Sequence, residues 1–168
     1  MTRLLYATSD SPIGELLLLG DGERLRGLYM QRGRKPAQVA PGWKRCPNAF
    51  AAAREQLREY FAGQRRQFDL SMELVGGEFE LRVWNALLEI PYGETRSYGQ
   101  IARRIGHPSA ARAVGLANGR NPIAVIVPCH RVIGADGTLT GYGGGLERKR
   151  LLLELESGQP RLPLAALG

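Results

Sequence analysis

The chain has 168 residues and a formal net charge of +7, with 43% hydrophobic and 23% charged residues. These proportions match globular proteins and exclude wholesale disorder. No apolar run approaches the roughly 18 residues that a membrane span needs. The first residues also lack the apolar stretch and cleavage site of a secretory signal. We therefore expect a soluble, cytoplasmic protein with no membrane partner.

Two cysteines, Cys46 and Cys129, are too few for a disulfide framework or a metal site built from several thiolates. Cys46 follows an arginine and precedes a proline, with no histidine nearby, so we assign it no chemical role. Cys129 is followed directly by His130. Any thiol chemistry in this chain is therefore expected at Cys129.

The N-terminal half is predicted to be a β-sheet followed by a helix. Residues 4–35 contain short apolar runs separated by Pro and Gly turn signals, which is typical of strands. Apolar residues then recur at helical spacing from Phe50 to Phe61, and Gly63 ends that helix. Residues 68–74 predict one more short strand.

The Gly76-Gly77 pair is the expected domain boundary, because the pattern changes from strands to helices there. This divides the chain into an N-terminal domain of residues 1–76 and a C-terminal domain of residues 77–168. The C-terminal domain opens with an amphipathic helix.

Two further helices are predicted from their capping signals. Ser97 followed by Gln100 forms a capping box, and Gly106 stops the helix that it begins. Ser109 caps the next helix, and Gly119 lies where its C-terminal cap would be. Helix, short turn and helix form the outline of a helix-turn-helix.

Positive charge is concentrated around this helix pair. From Glu94 to Arg131 there are six arginines against one glutamate. A dense basic segment indicates a polyanionic partner, although a solvated arginine-rich surface has the same composition.

The second helix of the pair carries one long basic side chain, Arg112, among small residues. Direct reading of bases in the major groove needs several polar side chains on one face, which this helix lacks. Small side chains instead suit a close approach to the minor groove, with the guanidinium free to enter the base stack. The pattern predicts sequence-tolerant DNA binding; the alternative is that the alanines only pack one helix against another.

Cys129 follows the β-branched run 123–127, which predicts a buried strand, and Pro128 ends that run. A thiol at a strand end is commonly an exposed nucleophile, and Arg131 would favour its thiolate. Neighbouring residues of a strand face opposite sides, so either the chain turns at Pro128 or His130 acts through water. The alternative is a packed, inert cysteine.

Residues 128–132, Pro-Cys-His-Arg-Val, resemble the signature of the methylated-DNA–protein-cysteine methyltransferases, the suicide repair proteins that remove an alkyl group from oxygen-6 of guanine. Asn121-Pro122 before this signature and Tyr142 in a glycine-rich loop after it fit the same family. The resemblance runs in register from about Val83 to Glu156, and more loosely over the N-terminal half. It implies an α+β fold, with a ribonuclease-H-like α/β domain followed by a mostly helical, winged-helix-like domain that contains the helix-turn-helix.

The resemblance also implies catalytic roles. Cys129 would accept the alkyl group, and His130 would deprotonate it through a bridging water. Glu156 would orient and polarise His130, and Asn121 would stabilise the loop that carries the cysteine. Cys129 is replaced in family members that bind alkylated DNA without repairing it, so its presence here implies catalysis.

The DNA contacts implied by the resemblance lie on the helix pair. Tyr98 would push on the target phosphate, and Arg112 would fill the gap left by the flipped base. The remaining DNA contacts would be Ser97, Ala110, Ala111, Ala113 and Gly115. The guanine pocket would be lined by the Val127 carbonyl, Pro128, Tyr142 and the backbone of Gly143. Some relatives have serine where this chain has Gly143, so that hydroxyl contact is absent here.

No cofactor and no metal are expected. Certain relatives hold a zinc ion in the N-terminal domain, but this chain has one cysteine and no histidine before residue 100. The expected partner is double-stranded DNA containing alkylated guanine, bound largely independently of sequence through the minor groove. The protein would act as a monomer that can cluster on DNA, in a bacterial-type cytoplasm at the nucleoid.

Two other functions are compatible with the residues. The first is a non-catalytic helix-turn-helix module that senses DNA damage, with Cys129 only packed. The second is a Cys-His acyl hydrolase in which Asn121 orients the histidine.

Overall fold

The computed structural model describes residues 3–31, 37–142 and 144–158. The strands are β1 (Leu5–Ser9), β2 (Leu16–Gly20), β3 (Leu25–Met30), β4 (Lys44–Arg45), β5 (Arg96–Ser97) and β6 (Val132–Ile133). The helices are α1 (Ala51–Phe61), α2 (Glu78–Leu88), α3 (Tyr98–Arg104), α4 (Ala111–Gly119) and α5 (Leu146–Ser157). The predicted pocket residue Gly143 lies outside the described residues. None of the described helices is long and apolar enough to cross a membrane.

The N-terminal half forms a sheet with the strand order β3-β2-β1-β4, in which β4 pairs parallel to β1 and the other pairs are antiparallel. Strand β2 is buried along its whole length, which explains its uninterrupted leucine run. Helix α1 buries Leu57, Tyr60 and Phe61 in the common core. The predicted order of strands followed by a helix is confirmed.

The strand predicted over residues 68–74 does not form. Its only strand-like pairing in the described residues is a single bridge between Met72 and Leu25. Every second side chain of this segment is apolar and packs partly buried against the core. The segment therefore has the two-residue alternation of a strand, although it is not hydrogen-bonded along its length to a neighbouring strand.

Helices α2, α3 and α4 pack on one another in the C-terminal half. The predicted capping box is confirmed, because the Ser97 hydroxyl accepts from the Gln100 N–H at 3.1 Å and the Gln100 side chain accepts from the Ser97 N–H at 2.8 Å. The prediction for α4 is wrong by one residue: its N-cap is Ala110, with no side-chain cap. The helix also runs through Gly119. The cause is a turn in which the Ala110 N–H donates to the His107 carbonyl.

The strand predicted over residues 123–127 is also wrong, because the segment is a buried succession of turns. Ile123 bridges to Leu28 of β3, and Val125 then adopts a φ of 71°. That angle is strained for a β-branched residue and reverses the chain. The β-branched composition reflects burial in the core here, and not extended backbone.

The bridge from β3 ties the two halves of the chain together. Leu28 donates its N–H to the Pro122 carbonyl at 2.8 Å and accepts from the Ala124 N–H at 3.2 Å. On the other side, the Arg148 side chain of α5 donates to the Ile13 carbonyl at 2.6 Å. The sheet edge therefore holds the segment that leads into Cys129.

Candidate active site

The cysteine lies on a tight reversal of the chain at Pro128. Pro128 has φ −81° and ψ 63°, and the Cys129 N–H donates to the Val127 carbonyl at 2.8 Å. This is the geometry of an inverse γ-turn. Residues Cys129–Arg131 then form a short 3-10 turn. Of the two alternatives that the sequence leaves open, the chain does turn at Pro128.

Cys129 is only 5% exposed, so the expectation of an exposed thiol is wrong. Burial raises the pKa of the thiol, while Asn121, Tyr142 and Lys149 act in the opposite direction. The expectation that Arg131 favours the thiolate is also wrong, because its guanidinium is bound to the carboxylate of Glu156. The thiol therefore needs a base to ionise it at neutral pH.

Asn121 braces the turn on which the cysteine lies. Its side-chain amide donates to the Val127 carbonyl at 2.8 Å and accepts from the Ile123 N–H at 3.0 Å. Asn118, which the sequence reasoning missed, donates to the Cys129 carbonyl at 3.2 Å. Two asparagines thus hold the backbone on both sides of Pro128.

A buried hydrogen-bonded cluster lies next to the cysteine. The Nε2 atom of His130 is 2.7 Å from Oε2 of Glu156. Arg131 donates to both carboxylate oxygens of Glu156, at 2.7 and 3.0 Å, and to the Ile90 carbonyl at 2.6 Å. The hydroxyl of Tyr60, on α1, donates to Oε2 of Glu156 at 2.5 Å. We call Tyr60, His130, Arg131 and Glu156 the carboxylate cluster.

The pKa values of Glu156 and His130 are both lowered in the carboxylate cluster. Burial alone would raise the pKa of Glu156, but hydrogen bonds and charge from His130 and Arg131 hold it at about 2. Burial lowers the pKa of His130 despite the nearby carboxylate. At neutral pH the imidazole is therefore neutral. With Nε2 donating to Glu156, its Nδ1 is an acceptor with no partner among the described protein groups.

Lys149 is a further buried charge that the sequence reasoning missed. Its ammonium donates to the carbonyls of Val132 at 2.6 Å and Thr140 at 2.9 Å, and the residue is 0% exposed. The sequence does contain a pattern that could have predicted this burial. Lys149, Leu152 and Glu156 lie at positions i, i+3 and i+7, which share one face of a helix. Charges on the apolar face of α5 indicate buried partners.

The predicted DNA-contacting residues lie on a second surface, around α4. Arg112 and Ala113 are exposed, whereas Val114 and Ala117 on the opposite side are buried. Gly115 faces the ring of Tyr98, and the Tyr98 hydroxyl lies 2.8 Å from the Thr140 hydroxyl. We call Arg112, Ala113 and Gly115, with the preceding Ala110 and Ala111, the small-residue face. Ser97 lies at the start of α3, where it caps the helix.

The basic segment is less positive at the surface than its composition suggests. Arg96 pairs with Glu94 at 3.1 Å and Arg104 with Glu89 at 2.7 Å. Arg131 is buried in the carboxylate cluster. Arg112 is exposed and forms no ion pair within the described part of the chain.

The remaining predicted pocket residues lie beside the thiol. The Tyr142 hydroxyl is buried, and burial beside Cys129 raises its pKa well above the usual value. The Val127 carbonyl accepts from both Asn121 and the Cys129 N–H. Residues 3–31, 37–142 and 144–158 contain no group of three or more His, Cys, Asp or Glu side chains placed to hold a metal ion.

Comparison with known proteins extends over almost the whole chain. Residues 4–74 match the family model for the ribonuclease-like domain of 6-O-methylguanine DNA methyltransferase, and residues 78–158 match the model for its DNA-binding domain. The methylated-DNA–protein-cysteine methyltransferase of Mycobacterium tuberculosis is 59% identical over 155 residues, which cover 92% of this chain and 93% of that protein. The protein of the same name from Methanosarcina acetivorans is 55% identical over 153 residues, covering 91% and 98%.

The solved structures agree with the sequence relatives. The Mycobacterium tuberculosis protein OGT, crystallised in complex with DNA, superposes with a TM-score of 0.90 at 56% identity, covering 98% of this chain and 99% of that one. This likeness supports the α+β fold with a ribonuclease-like first domain and a helical second one. The chain belongs to the methylated-DNA–protein-cysteine methyltransferase family.

Proposed function

We propose that this protein repairs DNA by moving an alkyl group from oxygen-6 of guanine onto the Sγ atom of its own Cys129. The observation that carries the proposal is the position of Cys129, on a braced turn directly beside the His130–Glu156 pair. An unreactive packed cysteine needs neither a buried base nor two asparagines that hold its backbone.

The chemistry balances without a cofactor. His130, oriented by Glu156, takes the thiol proton through a water, and the thiolate attacks the alkyl carbon in line. A sulfur–carbon bond forms, the carbon–oxygen bond breaks, and its electron pair stays on the guanine. The proton taken from the thiol finally neutralises the guanine. The thioether product is stable to water, so each molecule reacts once.

The surroundings of the thiol support this sequence of events. Asn121 holds the turn, and Tyr142 and Pro128 line the base pocket. The Val127 carbonyl has its two lone pairs engaged by the protein. These two donors fix the position of the Val127 carbonyl, which we propose lines the guanine pocket as well.

DNA binding is proposed for the small-residue face. Its short side chains permit a close approach to the minor groove, Arg112 enters the stack where the nucleotide has flipped out, and Tyr98 presses on the adjacent phosphate. Phosphate contacts make the binding largely independent of sequence. We propose that the protein acts as a monomer at the nucleoid in the cytoplasm, with its two domains meeting at Gly76-Gly77.

Mass spectrometry after incubation with a duplex containing O6-methylguanine tests the proposal. One methyl group should replace one hydrogen, on the peptide that carries Cys129. Cys129→Ala should bind the duplex and gain no mass, whereas Cys46→Ala should react like the wild type. An unmodified, DNA-bound wild type would support the damage-sensing alternative, and repeated turnover of an ester would support the hydrolase.

A further inference from the structure

We propose that Tyr60, on α1 of the N-terminal half, is a positioning residue for alkyl transfer: its hydroxyl holds the Glu156 carboxylate in place and limits how strongly that carboxylate attracts a proton onto His130. The inference rests on the proposed function, because it takes His130 as the base for Cys129. It gives the N-terminal half a part in the chemistry, beyond its support of the fold.

The position of Tyr60 is tightly determined. Its side chain is 0% exposed, and its hydroxyl reaches Glu156 across 96 residues of sequence. Its ring packs edge-on against Phe61 at 5.2 Å and Tyr92 at 6.2 Å, and tilted against Phe68 at 5.3 Å. A ring enclosed in this way keeps its hydroxyl directed at one oxygen.

That oxygen, Oε2, is the one that His130 uses. It accepts from Tyr60 at 2.5 Å, His130 at 2.7 Å and Arg131 at 3.0 Å, while Oε1 accepts from Arg131 at 2.7 Å. The carboxylate therefore accepts four hydrogen bonds, and three of them crowd onto Oε2, which has two lone pairs. Tyr60 and His130 therefore compete for the same electron density, so a weaker donor at position 60 leaves a more attractive carboxylate for a protonated imidazole.

The effect of the Tyr60 hydroxyl on His130 can be measured without removing a charge from the carboxylate cluster. Glu156, Arg131 and Lys149 are the charged groups that act on His130, and Glu156 and Arg131 are the charged groups that act on Tyr60. Burial raises the pKa of Tyr60 well above its usual value, so the phenol remains a neutral donor. Removing its hydroxyl leaves every formal charge of the cluster unchanged.

The test is the pH dependence of the single-turnover rate constant, measured with saturating duplex containing O6-methylguanine. The rate should fall at acid pH as His130 becomes protonated. In Tyr60→Phe the ring packing is kept, and the midpoint of that fall should move upward by about half a pH unit or more, with the plateau within about tenfold of the wild type. A role in packing alone would lower stability and leave the midpoint in place.

Tyr92→Phe is the matched control. It lies in the same aromatic group, but its hydroxyl donates to the Leu155 carbonyl at 3.3 Å. Its acid midpoint should equal that of the wild type.

A second variant should shift the acid midpoint in the opposite direction, and it also tests the proposal if Tyr60→Phe does not fold. Site-specific 3-fluorotyrosine at position 60 is a more acidic, stronger donor, so the midpoint should move downward. An unchanged midpoint in either folded variant, with a wild type that methylates Cys129, overturns the role of Tyr60 and leaves the proposed function standing. A wild type that gains no mass on Cys129 overturns the proposed function itself.

Discussion

The carboxylate cluster, which draws Tyr60 from the N-terminal half, and the small-residue face, which lies wholly in the C-terminal half, are built on opposite physical principles. In the cluster, Glu156 and Arg131 are buried with their charges paired and their hydrogen bonds filled. On the small-residue face, Arg112 is exposed and has no acidic partner in the described residues. The cluster holds its charges in fixed positions, whereas the face keeps its one charge free.

The difference fits the two tasks that we propose for these regions. Ionising a buried thiol requires a base whose proton affinity is set by fixed neighbours in a low dielectric, where each interaction is strong. Binding DNA requires a surface that approaches closely and a guanidinium that can leave water for the base stack. Substitutions in the carboxylate cluster should therefore lower both the stability of the protein and the rate of proton transfer. Substitutions on the small-residue face should impair only the interaction with DNA.

Glu156→Ala should have the largest effect. Removing the carboxylate leaves Arg131 buried without its partner, and breaking such a pair costs about 3–5 kcal/mol. Urea denaturation at neutral pH measures this loss, and alkyl transfer should fall with it. Glu154→Ala is the matched control, since Glu154 is on the same helix and is only loosely paired with Arg150 at 3.9 Å. Equal losses in the two variants would contradict the structural account.

The same variant should change the response to acid. The pKa of Glu156 lies at about 2 in the folded protein, against an ordinary value of 4.5 for a glutamate. Its contribution to stability is therefore present above about pH 4.5 and is lost as the pH falls from there towards 2. The lowered pKa of His130 adds a loss of the same sign below about pH 6.5. Glu156→Ala should lack the carboxylate part of this acid dependence.

Arg112→Ala should separate DNA repair from chemistry. Repair in duplex DNA should slow by about tenfold or more, because the inserted side chain offsets part of the few kcal/mol needed to flip the nucleotide. Reaction with free O6-alkylguanine base should be unchanged. Arg120→Ala, an exposed arginine just past the end of α4, is the control. If both substrates slow equally, Arg112 has no part in base flipping.

Gly115→Ala should have the smallest effect and sharpens the comparison most. An added Cβ would meet the Tyr98 ring at 3.7 Å, an ordinary contact, so the protein should keep or gain up to about 1 kcal/mol of stability. A close approach to DNA would nonetheless be hindered, and affinity for duplex should fall a few-fold. Gly119→Ala meets nothing within 4 Å and serves as the control. Unchanged affinity in Gly115→Ala would place DNA elsewhere on the molecule.

Local patterns predicted most of the helices and the N-terminal strands correctly. The Ser97–Gln100 capping box and the stops at Gly63 and Gly106 act over a few residues, so they can be recognised without knowing the fold. The wrong strand predictions are two segments whose burial in the core gives them a sequence pattern typical of strands. Residues 123–127 are β-branched because the core encloses them, and the period of residues 68–74 lacks a partner ladder.

The sequence by itself identified the candidate residues for the chemistry, because the Pro-Cys-His-Arg-Val run has a thiol and an imidazole at consecutive positions. Only the tertiary structure decided the environment of that thiol. The fold buries Cys129 and pairs Arg131 with Glu156. It also brings the Tyr60 hydroxyl to the same carboxylate, although the two residues are 96 positions apart in the sequence. The packing of elements that are distant in sequence determines the hydrogen-bond partners of buried charges. Local residue spacing therefore cannot predict these partners.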